Sequence, residues 1–256
     1  MKQTLLVAAC VAGSLLASGT ALAADMPLKA PPTPKPYNWY GFFVGGTAGY
    51  AWGADPIDLT YGTAFPQGLL PATEAGNPRG FIGGIEYGTN YQFGRWVLGT
   101  ESDYMFSNIT SSQTTSTGGF TSSGSEKLSN LSTSRGRVGY TIRDNLLLFG
   151  TAGLAEGTAK TSVASSDSSC PPCFVGSISK ARWGWTAGAG IEYAEGSWSV
   201  KVEYLHYDLG DLNLTFTDPT GTILASTSTR FAGDIVRGGV NYHFTWAPED
   251  LIFGRH

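Results

Sequence analysis

Ten charged residues of this sequence occupy alternate positions in segments whose other alternate positions are apolar, aromatic or small. Five are acids and five are bases: Glu86, Glu101, Asp103, Arg135, Arg137, Arg182, Glu192, Lys201, Glu203 and Arg237. Buried ions without partners are costly, so a balanced set of this kind is expected to pair within a shared interior. We therefore predict a network of salt bridges that plugs a narrow lumen. The alternative is a gate, in which an exchange of partners opens a narrow ion path.

Cys170 and Cys173 have the C-x-x-C spacing that occurs in redox motifs and in half of a zinc site. A redox motif uses a helix N-terminus to lower the pKa of the reactive thiol, whereas these cysteines lie in a serine-rich stretch. The sequence has no second cysteine pair that could complete a zinc site. Because the chain is predicted to be exported to an oxidising compartment, we expect a small disulfide within a loop.

The histidines are candidate catalytic groups. His206 could act together with a nearby acid or hydroxyl, namely Asp208, Asp211 or Ser226. No Ser-His-acid triad and no pair of carboxylates at a rim stands out in the sequence. We therefore predict no enzymatic activity, no catalytic residues, no metal site and no cofactor.

The elements that must position these side chains are β-strands, as the last segment shows. One face carries apolar residues and ends in two aromatics, while the other face is polar or small. The apolar face consists of Val236, Gly238, Val240, Tyr242 and Phe244, and the polar face of Arg237, Gly239, Asn241 and His243. A period of two indicates a strand. A strand of this kind suits a barrel with lipid outside and a polar interior.

Eight such strands are predicted, joined by alternating long and short connections. The short connections are turns at residues 93–95, 143–145 and 195–197. The long ones are the Gly-, Pro- and Ala-rich stretch before Pro78, the segment Asn108–Gly124, a serine-rich stretch around the cysteines, and the segment Asp208–Thr229. This order predicts an all-β, up-and-down antiparallel barrel, in which an even number of strands leaves no free edge. The strand that begins at Leu146 has no clear polar face, so its inward side is left open.

A soluble eight-stranded barrel of the lipocalin type is the main alternative fold. It would place the charged face outside and the aromatic face inside. An eight-stranded barrel has room only for closely packed side chains, and seven strands of Trp, Tyr and Phe would not fit there. We therefore predict that the aromatic residues face lipid and the charged residues face the lumen.

The N-terminus and the composition indicate an exported protein. Lys2, the apolar stretch from Leu5 to Leu16 and the Ala21-Leu22-Ala23 site predict a signal peptide over residues 1–23. A lipoprotein cleavage site at Cys10 is the alternative. Residues 24–38 are proline-rich and are predicted to form a linker, followed by the barrel over residues 39–244 and an extension over residues 245–256. The chain is mildly acidic and has no basic block, so nucleic acid is not an expected partner.

Six motifs in order resemble the small alphaproteobacterial outer-membrane proteins, the surface-antigen and "porin family" group with an OmpA-like barrel. These motifs are WYGFFVGG from Trp39, RGRVGY from Arg135, LLFGTAGLA from Leu147, WTAGAGIEY from Trp185, WSVKVEY from Trp198 and RGGVNYHF from Arg237. The resemblance implies an integral outer-membrane barrel with extracellular loops and both termini in the periplasm. The spacing of Arg237, Gly239, Tyr242 and Phe244 also resembles the last-strand signal of the outer-membrane assembly machinery. The chain departs from the family by continuing beyond Phe244.

The function expected from these features is a structural one. We predict a barrel that supports envelope integrity and takes part in surface interactions, with its lumen plugged by charged side chains. A small passive diffusion pore is the first alternative, and a haem-binding, ligand-binding or lipid-modifying barrel is the second. Haem binding is implied by the resemblance, since some members of the family are described as haem-binding, and His206 with the loop tyrosines Tyr61 and Tyr207 would be the residues for it. The expected partners are outer-membrane lipid and lipopolysaccharide, the assembly machinery, and peptidoglycan or host surfaces.

Overall fold

The computed structural model describes residues 37–53, 55–62, 73–168, 170–217 and 223–244. These residues form ten strands. In chain order they are β1 (Gly41–Trp52), β2 (Asp55–Tyr61), β3 (Thr73–Gly76), β4 (Arg79–Phe93), β5 (Trp96–Thr117), β6 (Phe120–Arg143), β7 (Leu146–Asp167), β8 (Cys170–Glu195), β9 (Trp198–Thr217) and β10 (Ile223–Phe244). Within the described ranges, no helix is long and apolar enough to span a membrane.

Eight of the strands close into a ring. The order is β1-β4-β5-β6-β7-β8-β9-β10, and β10 pairs antiparallel with β1 to complete the barrel. The predicted eight-stranded antiparallel barrel is therefore confirmed. The two additional strands extend the same sheet from β10, because β2 pairs with Ala225–Thr229 of β10 and β3 pairs with β2.

The connections differ at the two ends of the barrel. At one end, here called the turn end, β4–β5, β6–β7 and β8–β9 are joined by tight two-residue turns, two of which contain Gly94 and Gly196 at a φ of 61°. Glycine tolerates this left-handed conformation without strain. At the opposite end, here called the hairpin end, the strands continue far beyond their apolar portions.

The sequence prediction of solvated loops at the hairpin end was wrong. The segment Asn108–Gly124 belongs to β5 and β6, which stay paired up to Thr117 opposite Phe120. The serine-rich stretch around the cysteines is likewise mostly paired strand, in β7 up to Asp167 and in β8 from Cys170 onward. Both segments are polar on each face and so lack the alternation that marks a half-buried strand. Threonine nevertheless favours extended backbone, and pairing that starts in the barrel continues along it.

The outer face of the ring carries a broad apolar surface. Large apolar side chains that are 38–75% exposed occur on each of its eight strands. Examples are Tyr50, Phe81, Ile85, Trp96, Phe106, Val138, Leu148, Trp183, Val202, Val236 and Phe244. An exposed apolar surface of this extent indicates contact with lipid. We call it the lipid-facing belt.

The interior is filled by side chains in three successive layers, two of them apolar and one charged. An apolar floor at the turn end contains Trp39, Val97, Leu147, Phe149 and Ala194. A charged layer lies above it. A second apolar cluster follows toward the hairpin end, comprising Ala51, Ile82, Met105, Ile109, Leu128, Leu131, Ala155, Ala159, Leu205, Tyr207, Leu209, Leu212, Phe231 and Ile235. The inward side of the fifth barrel strand, β7, is therefore the one that carries Leu147, Phe149 and Thr151.

Candidate functional site

The charged layer brings together nine of the ten charged residues that the sequence singled out. Five carboxylates meet four basic side chains, and the side chains that form these ion pairs are 0% exposed. The carboxylates are Glu86, Glu101, Asp103, Glu192 and Glu203, and the cations are Arg135, Arg137, Lys201 and Arg237. Their neighbours in sequence face lipid, so the alternation of each strand directs them into the lumen.

Arg182 lies outside this layer, contrary to the sequence prediction. It is on β8, ten residues from Glu192, which places it about 33 Å further along the strand. It pairs in register with Gly157, at the level of the second apolar cluster, and its guanidinium lies beside Gly210. Among the described residues it makes no ion pair. The inward direction of Arg182 was predicted correctly. Strand β8 is much longer than expected, however, and the direction of a side chain does not determine its position along the barrel axis.

Arg135 and Arg237 bind the acids from opposite walls. Arg135 donates to Glu101 at 2.6 Å, to Asp103 at 2.8 Å and to Glu203 at 2.7 Å. Arg237 donates to Asp103 at 2.9 Å, to Glu101 at 3.1 Å and to Glu203 at 2.7 Å. The two guanidinium groups thus share the same three carboxylates. Charge-assisted bonds from planar guanidinium groups are the strongest of the common side-chain hydrogen bonds.

Lys201 extends the layer to β4. Its ammonium group lies 2.6 Å from Glu101, 2.8 Å from Glu86 and 3.6 Å from Glu203. Gly239 leaves the space for this arrangement, because a Cβ at that position would lie 3.0 Å from Glu86 Oε1 and 3.2 Å from Lys201 Cε. Gly239 therefore has a packing role in the charged layer.

Arg137 connects the charged layer to the apolar floor. Its guanidinium carbon lies 4.0 Å from the centroid of the Phe149 ring and 5.6 Å from that of Phe43. It forms a short ion pair with Glu192 and lies 3.6 Å from Glu101. A cation over a desolvated aromatic face is stabilised by the ring quadrupole. The floor is therefore an electrostatic part of the layer as well as its lower boundary.

His243 and Ser199 complete the surroundings of Glu192. Ser199 donates to Glu192, and His243 Nε2 lies 2.9 Å from the Ser199 hydroxyl and 3.3 Å from Glu192 Oε1. Serine, histidine and acid occur together here, but both partners bind the same imidazole nitrogen. A catalytic triad uses the two ring nitrogens separately, and its serine must reach a substrate. Ser199 is only 2% exposed, so this group is structural.

Trp39 closes the turn end. Its side chain is fully buried, and its indole N–H donates to the carbonyl oxygen of Asp144 at 3.1 Å. The backbone N–H of Trp39 donates to Gln92 at 2.8 Å, and Tyr37 packs edge-on against its ring. The chain that leads into β1 thus covers the lumen from below.

Several of these contributors were not anticipated as site residues. Phe43 and Phe149 are aromatic residues that face inward, although the lipid-facing parity dominates the aromatic signal of the sequence. His243 belongs to the predicted polar face of the last strand, so its inward direction could be predicted from the sequence. Its contact with Glu192 could not, because that contact depends on the stagger between β8 and β10. Trp39 precedes its strand, where alternation gives no direction.

Two of the candidates for catalysis or haem binding, His206 and Asp208, line one groove together with Arg230 and Asp234, whereas Ser226 and Tyr207 do not line it. His206 contacts Asp234 at 2.9 Å on the outer face, next to Tyr204, which bonds the same carboxylate. Asp208 pairs with Arg230. Ser226 is eight residues from Asp234 along β10, about 26 Å away. Tyr207 is buried in the second apolar cluster and faces away from His206, so it is not a loop tyrosine.

Three predicted residues cannot be placed by their side chains. Cys170 and Cys173 belong to β8 by their backbone, and Tyr61 to β2, but their side chains lie outside the described part of the chain. The predicted disulfide between Cys170 and Cys173 therefore stays a prediction. The signal peptide, nearly all of the proline-rich linker, and the extension over residues 245–256 also lie outside the described residues.

Comparison with known proteins agrees with this architecture. The family model described as "Outer membrane protein beta-barrel domain" matches residues 12–244. The 31 kDa outer-membrane immunogenic protein of Brucella melitensis biotype 1 is 33% identical over 232 residues, covering 88% of this chain and 94% of the relative. The 25 kDa outer-membrane immunogenic protein of Brucella abortus biovar 1 is 30% identical over 255 residues, covering 95% and 99%.

Among solved structures, the outer membrane protein OprG from Pseudomonas aeruginosa matches at 10% identity with a TM-score of 0.43, covering 82% of this chain and 99% of OprG. The family match covers most of the chain, and the relatives cover it almost from end to end. With its closed ring of eight strands, its lipid-facing belt and these relatives, the chain belongs to the family of outer membrane β-barrel proteins.

Proposed function

We propose that this protein is a structural, non-conducting barrel of the outer membrane that supports the envelope and presents its hairpin end to the exterior. The observation that carries the proposal is the filled lumen. An apolar floor, a charged layer and a second apolar cluster follow one another along the barrel axis. A permeating ion would have to pass all three.

The charged layer opposes permeation because its members are mutually satisfied. Moving Arg237 aside would break its contacts with Glu101, Asp103 and Glu203 at once. Leaving a buried charge without its partner costs about 3–5 kcal/mol. The two apolar layers exclude water on either side, in the way that hydrophobic constrictions close channels. This arrangement supports a plug.

A narrow gated pore is the second candidate, and one observation favours it. Glu101 lies within 4 Å of four cations, namely Arg135, Arg137, Lys201 and Arg237. An acid that many cations can reach allows pairs to exchange without a charge ever standing alone. A buried ionic layer is also less stabilising than an apolar filling would be, so its presence leaves room for a switching role.

Single-channel conductance of the refolded mature chain in a planar bilayer separates the two. The proposed plug gives a silent membrane, while the heat-modifiable band on a gel shows that the barrel is folded. Discrete openings that change when Lys201 and Glu203 are both neutralised would overturn the plug and establish the gate. Openings of the wild type that do not change in this double variant would overturn both the plug and this gate.

The orientation of the barrel is part of the proposal. Outer-membrane barrels have short periplasmic turns and long extracellular loops, so the turn end is assigned to the periplasm and the hairpin end to the exterior. Both Gly41 and Phe244, where the barrel begins and ends, lie at the turn end. Relatives described as immunogenic are consistent with an exposed surface. Surface partners are then expected at the hairpin end, and peptidoglycan contacts at the linker before Tyr37.

The last strand is proposed to carry the signal for the assembly machinery. Tyr242 and Phe244 face outward at the turn end, where an assembly factor could reach them before the barrel closes. Phe244→Ala should slow insertion in cells while leaving the refolded barrel about as stable as Phe93→Ala, which removes another exposed belt aromatic. Equal insertion of the two variants would contradict the assignment.

A further inference from the structure

We propose that the outer face of the hairpin end binds the phosphate groups of lipid A, the membrane anchor of lipopolysaccharide, at Lys127 and Lys160. The inference rests on the proposed orientation, which places this face in the outer leaflet. It concerns a site on the lipid-exposed side of the barrel, separate from the charged layer inside.

The feature that carries it is a row of basic residues set by strand register. Arg79 on β4 pairs with Thr110 on β5, Thr110 pairs with Lys127 on β6, and Lys127 pairs with Lys160 on β7. All four are exposed and face outward. Adjacent strands bring the Cα atoms of Lys127 and Lys160 to about 5 Å. Arg79 lies two strands from Lys127, about 10 Å away.

The direct opposition of two lysines is unfavourable unless an anion is present. Like charges at paired positions of neighbouring strands destabilise a sheet. Within the described ranges, Arg79, Lys127 and Lys160 form no ion pair with an acid. Glu126 is next to Lys127 in sequence, but its side chain is 3% exposed and faces the interior. Glu156 is on the outward face of β7, four residues from Lys160 and so about 13 Å away.

The surroundings of the lysines are suited to an oxyanion. A groove of about 350 Å³ is lined by both lysines, by Ser111 and the inward-facing Glu126, and by four hydroxyl residues on the outward face: Thr110, Ser112, Ser125 and Ser162. Ser112 pairs with Ser125 and Ser125 with Ser162, so the hydroxyls form a second row beside the basic one. Ammonium groups and hydroxyls together supply the donors that phosphate oxygens accept.

The position of the row relative to the belt identifies the ligand as a membrane lipid. Arg79 is two residues beyond the belt residue Phe81 on the same face of β4. Lys160 pairs with Ser179, which is four residues beyond the belt residue Trp183 on β8. Aromatic residues mark the interface between hydrocarbon and headgroups, so the basic row lies at headgroup level. In the outer leaflet the phosphates at this level belong to lipid A.

The test compares Lys127→Gln/Lys160→Gln with the wild type, using the whole mature chain refolded in detergent. The matched control is Arg95→Gln/Arg143→Gln, which removes two exposed charges at the turn end. Heat modifiability verifies that every variant is folded. Native mass spectrometry then measures the binding of diphosphoryl lipid A, of fully dephosphorylated lipid A and of phosphatidylglycerol.

The lysine variant should bind diphosphoryl lipid A about 30-fold more weakly, which corresponds to about 1 kcal/mol for each basic residue near an anionic lipid surface. The control should bind it like the wild type, and dephosphorylated lipid A should bind weakly to all three proteins. Unchanged affinity of the lysine variant would overturn the site. Equally tight binding of phosphatidylglycerol would overturn lipid A as its ligand.

The orientation is checked separately, by labelling a cysteine placed at the hairpin tip residue Ser116 in intact cells with a reagent that does not cross the membrane. Labelling shows that the hairpin end is outside, whatever the lipid measurement gives. Conductance in a planar bilayer tests the closed lumen and is independent of both. A failure of the lipid site is thus distinguished from a failure of the proposed function.

Discussion

The guanidinium of Arg237 lies 3.1 Å from the carboxylate of Glu101, although the two residues are 136 positions apart in the chain. Arg237 is on β10 and Glu101 on β5, which are separated in the ring by β1 and β4. The backbone ladder connects each strand only to its neighbours. The ion pair therefore connects two strands that share no backbone hydrogen bonds, and it makes the charged layer a brace across the barrel.

Removing Arg237 should destabilise the barrel strongly. In Arg237→Met, five carboxylates would face three basic side chains in place of four, and Glu101, Asp103 and Glu203 would each lose a partner. We expect a loss of about 3–5 kcal/mol in the free energy of unfolding, because the acids left behind remain buried. Urea unfolding of the refolded barrel in vesicles, followed by tryptophan fluorescence, measures this loss.

Arg95→Met is the matched control for that measurement. Arg95 is exposed at the turn end, where the same substitution should change stability by about 0.5 kcal/mol or less. Arg237→Lys should fall between the two, since it keeps the charge but not the planar fork. If Arg237→Met were as stable as Arg95→Met, the charged layer would not brace the barrel.

The direction of most side chains could be predicted from the sequence because lipid imposes a strict period of two. In β9, Trp198, Val200 and Val202 face outward while Lys201 and Glu203 face inward, as the alternation indicated. The tight turns could also be recognised in the sequence. The alternation and the turns together determined the number of barrel strands. Polar hairpins carry no such signal, because both of their faces consist mostly of polar residues, although the inward residues, such as Ser122 and Thr161, are buried. Their continuation as paired strands was therefore missed.

Depth along the barrel axis could not be predicted in the same way. Arg182 and Glu192 share one strand and one parity, yet only Glu192 lies in the charged layer. Which inward residues meet across the lumen depends on the stagger between strands, and alternation within one strand does not determine it. The contact of Arg137 with Phe149 is of this kind, since β6 and β7 each show only which residues face inward.

A charge placed on the lipid-facing belt should oppose membrane insertion. Ile85 is 62% exposed and lies between Phe81 and Tyr91 on the outward face of β4. Ile85→Arg should cost about 2–4 kcal/mol if the position is near the bilayer midplane, because the guanidinium would lose water without finding a partner. Equilibrium unfolding in vesicles measures this cost.

Two controls accompany it. Ile85→Leu keeps the apolar surface, and Ser116→Arg places the same charge at an exposed hairpin position. Both should leave stability nearly unchanged. A stable Ile85→Arg barrel would mean that this face does not contact lipid.

Replacing Gly88 should destabilise the barrel, because this glycine lies close to the ring of Phe43. A Cβ at Gly88 would lie 2.1 Å from the carbonyl oxygen of Thr100 and 2.5 Å from Phe43 Cζ, so alanine forces backbone and ring apart. Overpacking of this kind costs about 1–3 kcal/mol. Gly46→Ala is the control, since a Cβ there meets its nearest atom at 3.8 Å. Equal stability of the two variants by urea unfolding would contradict the tight packing of Gly88 against Thr100 and Phe43.

Trp39 should be the main determinant of the floor at the turn end. Trp39→Ala removes a fully buried side chain and leaves a cavity beside the ring of Tyr37 and the imidazole of His243, so a loss of about 3–5 kcal/mol is expected. Trp39→Phe keeps most of the apolar contact but loses the hydrogen bond to the Asp144 carbonyl, and it should cost about 1 kcal/mol. Urea unfolding separates the two values.

Conductance gives a second and independent readout of Trp39→Ala. The charged layer and the second apolar cluster remain in this variant, so the bilayer should stay silent although the barrel is less stable. A cost below that of Trp39→Phe would mean that the indole does not fill the floor. Discrete openings in Trp39→Ala would mean that the floor is the principal barrier, and that the charged layer admits ions once water reaches it from below.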